Sequence, residues 1–96
     1  MNFVFGPFAD LEYKEAFDYY EAEEPGLGEK FRGAVWAAIA IVEQHPQIGQ
    51  EVRPGVRRVL VRRFPYKLVY SVRDDTLRII AVAHGHRRPD YWIDRA

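Results

Sequence analysis

The chain has 96 residues, 48% hydrophobic and 15% aromatic; that is too apolar for a disordered segment and enough for one compact domain over residues 1–96. It contains no cysteine, which removes disulfides and thiolate metal sites and fits a reducing compartment. Formal charge is zero, yet residues 1–48 hold nine acids against three bases while residues 49–96 hold five acids against eleven bases.

Such a split between halves points to an anionic partner for the second half, although two oppositely charged solvated faces would produce the same count. No basic segment followed by an apolar stretch opens the chain. The longest apolar run, Ala34 to Val42, is too short to cross a bilayer. A cytoplasmic protein with no membrane association is expected.

Asn2 to Gly6 is short and apolar and ends in Gly-Pro, as one strand would. From Phe8 onward Ala9, Tyr13, Ala16, Phe17 and Tyr20 form one stripe of an amphipathic helix, which Pro25-Gly26 stops. Asp10 and Glu12 suit the positive end of its dipole. Glu21, Glu23 and Glu24 oppose the negative end, which predicts fraying or basic neighbours there. Leu27, Phe31, Ala34, Val35, Ala38 and Val42 mark a second helix, ended by Pro46. Ile39 and Ile41 widen its stripe, so it is expected to be covered on more than one side. Trp36 falls off the stripe, as a second packing surface or part of a partner interface. The short break between the helices predicts an antiparallel hairpin.

After a polar stretch containing Pro54-Gly55 the period becomes two. In "VRRVLVRRF" Val59 and Val61 share one face, while Arg58, Leu60 and Arg62 share the other. Phe64-Pro65 makes a turn. In "YKLVYSVR" Tyr66, Leu68, Tyr70 and Val72 oppose Lys67, Val69, Ser71 and Arg73. Asp74-Asp75 supplies another turn, and "LRIIAVAH" is the last strand. The expected fold is α+β, in the order β-α-α-β-β-β, an antiparallel sheet with a helical hairpin on one face. The uncovered face would carry Arg58, Arg62 and Lys67, extended by "HGHRR" at the mouth of the last strand.

The segments "DLEYKEAFDYYEAEEPGLGEKF" and "VRRVLVRRFPYKLVYSVRDDTLRIIAVAHGHRRPDYW" together resemble the RelE/ParE superfamily of toxins from bacterial type II toxin–antitoxin pairs, over nearly the whole chain. The resemblance implies a β-α-α-β-β-β fold, growth inhibition and a cognate antitoxin. It also implies one of two activities. RelE-like members cut mRNA in the ribosomal A site with a basic cluster that favours attack by the ribose 2′-hydroxyl and steadies the phosphate. ParE-like members bind DNA gyrase and are not known as nucleases. By position, Arg58 stands at a lysine of the RelE pattern, Lys67 at an arginine, Arg87 at the arginine after the last strand, and Tyr91 at the terminal tyrosine if a small gap is allowed. Leu60 replaces a second lysine. That loss, with a histidine closing the last strand, leans the reading toward gyrase inhibition, with mRNA cleavage and a non-toxic interaction module as alternatives.

The candidate residues follow. Arg58, Arg62, Lys67, Arg87 and Arg88 are expected to bind an anionic target, and fixed cations suit charge on phosphate oxygens. Were the chain an enzyme, Arg58, Lys67 and Arg87 would hold the phosphate and His84 or Tyr91 would move a proton. His84 and His86 have no third ligand nearby, so no metal is expected, and no cofactor. Trp92 is read as packing. The expected partners are the antitoxin, through an acidic tail on the Arg-rich face or a helix on the hairpin, and either gyrase or the ribosome and mRNA.

Overall fold

The computed structural model describes all 96 residues. They form β1 (Asn2–Phe5), α1 (Pro7–Glu23), α2 (Leu27–Gln44), β2 (Gln50–Arg53), β3 (Val56–Val61), β4 (Tyr66–Arg73), β5 (Thr76–His84) and a short 3-10 turn, Ile93–Arg95. The sheet order is β1-β5-β4-β3-β2. No helix is long and apolar enough to cross a membrane.

The expected α+β fold is present, with two differences in the sheet. β2 is an additional edge strand, paired antiparallel to β3 in the stretch read as polar. Val52 is its only apolar residue, so pairing rather than pattern makes it a strand, and its charges suit an edge. The sheet is also mixed, because β1 runs parallel to β5. The helical hairpin is the crossover between β1 and the antiparallel remainder.

The hairpin explains the acidic end of α1. The Glu21 carboxylate accepts hydrogen bonds from the backbone N–H groups of Gly26 (2.9 Å) and Gly28 (3.0 Å). The acid therefore sits at the positive end of α2, where it is favourable, and needs no basic neighbour. Gly28 is required there, since a Cβ would lie 2.9 Å from the Phe17 carbonyl oxygen. α1 and α2 pack Ala9, Ala16, Phe31, Val35, Ala38, Ile39 and Val42 against Val61, Leu68, Tyr70, Leu77, Ile79 and Val82 of the sheet. Ile39 is buried as expected, whereas Ile41 is exposed. Trp36 belongs to an intramolecular aromatic cluster with Phe3, Phe5 and Tyr13, ring centroids 5.6–5.9 Å away.

The second sheet face is not left open. Val56, Val69, Ile80, Ala81, Ala83 and Trp92 form a smaller apolar cluster there, with Trp92 folded back from the C-terminal segment. A bulge makes this possible. Across β4 the register moves from Val69↔Ala81 to Tyr70↔Ile79, so Ile80 is the extra residue. Strict alternation would send Ile80 and Ala81 to opposite faces. The bulge puts both on the second face while Ile79 and Val82 stay on the first.

Candidate functional site

The C-terminal segment turns the second face into a cleft. Beyond Phe5 the outer edge of β5 has no strand partner, because β1 ends opposite Ile79. Glu12 of α1 fills the gap by accepting the Val82 N–H (3.0 Å). The same carboxylate accepts from the Tyr91 hydroxyl (2.6 Å) and from both terminal nitrogens of Arg95 (2.9 and 3.1 Å). Arg95 also donates to the Ile80 carbonyl oxygen (3.2 Å). Arg53 of β2 pairs with Asp90 at 2.9 Å. These ties hold residues 85–96 across the sheet with Trp92 buried beneath them.

The cleft, about 140 Å³, lies between this segment and the strands. Val52, Val69, Ala83 and Trp92 contribute its apolar part. Arg58, Lys67, His84, Arg87, Arg88, Asp90 and Tyr91 contribute its polar part. Six of the seven sequence-predicted residues thus come together. Arg62 does not. β3 ends at Val61, its last pair with β4 being Val61↔Tyr66, and Arg62 turns into a different groove with Lys30 and Phe64. The expectation that Arg62 shares the basic face with Arg58 is corrected by the end of the ladder.

The cleft is electropositive. The chain's ion pairs are Lys14–Asp10, Arg32–Glu29, Arg53–Asp90 and Arg95–Glu12, so Arg58, Lys67, Arg87 and Arg88 have no carboxylate partner. Four cations face one carboxylate, Asp90, which Arg53 already engages. Arg58 is oriented by a neutral group: its Nε and Nη2 both donate to Gln50 Oε1, at 3.1 and 2.9 Å. The Arg87 guanidinium lies 4.0 Å from the centroid of the Tyr91 ring, a cation–π distance.

Two candidate proton carriers differ in freedom. Tyr91 donates its proton to Glu12, and burial, followed by that hydrogen bond, holds its pKa far above the ordinary phenol value. His84 Nδ1 accepts the His86 N–H at 3.0 Å, so the neutral imidazole carries its proton on Nε2. Its ring edge meets Tyr66 at 5.1 Å. Leu60, at the RelE-pattern lysine position, lies directly across from Lys67 and is 66% exposed. Sequence reasoning missed Glu12, Gln50 and Arg95. Glu12 was legible only as a favourable charge near a helix start, and nothing in the pattern linked it to residues 70 or more positions away.

The family model described as "ParE toxin of type II toxin-antitoxin system, parDE" matches residues 4–89. Among solved structures, the chain is similar to one described as the chromosomal ParDE TA system from P. aeruginosa, with TM-score 0.61 and 21% identity over 88% of this chain and 95% of that one. At that identity the likeness concerns the fold. No curated protein matches the chain. With the family model spanning most of its length and the fold in agreement, the chain belongs to the ParE toxin family, the toxin component of type II toxin–antitoxin systems that is paired with an antitoxin.

Proposed function

We propose that this toxin inhibits DNA gyrase by binding it through the basic cleft, without cutting nucleic acid, in the bacterial cytoplasm. Family membership sets the class. The observation that carries the non-catalytic reading is the state of Tyr91, whose hydroxyl is committed to Glu12 at 2.6 Å and holds its proton more tightly than a free phenol. A general acid or base works best with a pKa near the operating pH. The exposed Leu60 opposite Lys67 adds support, because an apolar side chain stands where the nuclease pattern places a cation. The four uncompensated cations supply steering and charge complementarity toward an acidic target surface. The test is supercoiling of relaxed plasmid by purified gyrase: inhibition is expected as toxin is titrated in, and undiminished supercoiling at saturating toxin removes the proposal.

One observation favours a second reading, ribosome-dependent mRNA cleavage. His84 lines the cleft with Arg58, Lys67 and Arg87, and its Nε2 forms no hydrogen bond within the chain. That reading predicts discrete cuts within transcripts in a translation reaction. Full-length transcripts under toxin would eliminate it.

A further inference from the structure

The β3–β4 turn carries two arginines that the cleft does not use. Arg62 and Arg63 meet Lys30 of α2 around a separate groove of about 520 Å³, with Leu27, Ala34 and Phe64 as its apolar floor. All three bases are exposed. None of them takes part in an ion pair within the chain. Phe64 is fixed from below by Tyr20 and Phe31, at centroid distances of 4.9 and 5.2 Å, so the floor is firm. Arg63 stands at φ 71°, in the left-handed region. An L side chain is strained there, and glycine would not be. Nothing inside the molecule accounts for a cation held in that conformation beside two others, over apolar side chains. Backbone strain of this kind is retained where it serves a contact.

We infer that this groove docks the antitoxin, through an acidic segment that seats an apolar side chain on Leu27, Ala34 and Phe64 while its carboxylates meet Lys30, Arg62 and Arg63. The floor selects this occupant. A nucleic-acid backbone or a free anion would gain from the rim but nothing from the apolar residues. A peptide gains from both, as a protein interface with an apolar centre and a charged rim does. The inference rests on family membership, which brings an antitoxin, and not on the gyrase reading.

The test is calorimetric titration of the toxin with its purified cognate antitoxin, in two variants. Arg62→Glu combined with Arg63→Glu is expected to weaken binding about tenfold or more and to flatten its salt dependence. Arg63→Gly is expected to weaken binding while the melting temperature of the toxin holds or rises, since the strain is relieved as the charge is lost. Affinities within about twofold of the parent for both variants overturn the inference. So does a lower melting temperature for Arg63→Gly, which would give the residue a structural task, and so does antitoxin binding that responds to Lys67→Glu instead, which would seat the antitoxin on the cleft. Supercoiling inhibition by the two variants is a separate readout: its absence removes the gyrase proposal and leaves the affinity result standing.

Discussion

Replacing Glu12 with alanine tests how the cleft is built. The carboxylate receives hydrogen bonds from Val82 N–H, Tyr91 hydroxyl and both Arg95 terminal nitrogens, and the Glu12 and Arg95 side chains are only 15% and 16% exposed. Removing one partner of a buried ion pair costs about 3–5 kcal/mol, because the remaining charge is left uncompensated. The residual exposure places Glu12→Ala near the lower end, about 3 kcal/mol. A domain of this length has roughly 5–14 kcal/mol in total, at about 0.05–0.15 kcal/mol per residue. At roughly 4–8 °C per kcal/mol, the melting temperature falls by about 12–24 °C. Glu12→Gln keeps an acceptor for Val82 and is expected to lose less. Combining Glu12→Ala with Arg95→Ala is expected to cost less than the two single changes together, since they share one interaction. Hydrogen exchange supplies the decisive assay: amides of residues 85–96 lose protection first in Glu12→Ala. A loss under about 1 kcal/mol, or a large loss with the exchange of that segment unchanged relative to the rest, refutes the idea that Glu12 fastens the wall of the cleft.

Three further outcomes are expected. A Cβ at position 49 would lie 2.6 Å from both the Arg58 carbonyl oxygen and the Tyr70 hydroxyl oxygen. Gly49→Ala should therefore cost about 1–3 kcal/mol in urea unfolding, whereas Gly33→Ala, which meets nothing, should stabilise α2 by about 1 kcal/mol. The phenols of Tyr13, Tyr20, Tyr66 and Tyr91 all hold their protons more tightly than usual, chiefly through burial. Above about pH 10 the unfolded chain sheds these protons while the native chain keeps them, so stability is full below that pH and declines as pH rises beyond it. The urea midpoint should show this, with a shallower decline in Tyr91→Phe. Finally, Lys67→Glu combined with Arg87→Glu should lower gyrase inhibition about tenfold or more with the melting temperature little changed, since neither side chain pairs with a carboxylate in the fold.

The helices were legible because their stripes are long and strongly periodic, and every residue assigned to the α1 stripe is buried or half-buried. β2 was not, because a four-residue edge strand with one apolar side chain has no pattern of its own. Nor does alternation reveal the bulge in β5, where "RIIAVA" reads equally well as a run buried on both faces. Only pairing with β4 shows that Ile80 and Ala81 share a side. The cover over the second face was hidden for the same reason. Trp92 could be assigned to packing, but what it packs against depends on a return of the chain secured by Glu12 and Arg95, 83 positions apart.

The charged residues show where counting by strand face holds and where it stops. Arg58 and Lys67 were placed together correctly, since Arg58↔Val69 and Leu60↔Lys67 lie within the ladder and period two applies. Arg62 obeys the same parity, yet the ladder closes at Val61↔Tyr66 and the next residues turn through the left-handed Arg63. One residue past the last pair, parity no longer says which way a side chain points. The result is two cationic surfaces joined by a short turn, one on the sheet and one beside α2. Under this partition, charge reversal at Lys67 and at Arg62 should affect different partners. A single continuous basic face would make the two effects inseparable.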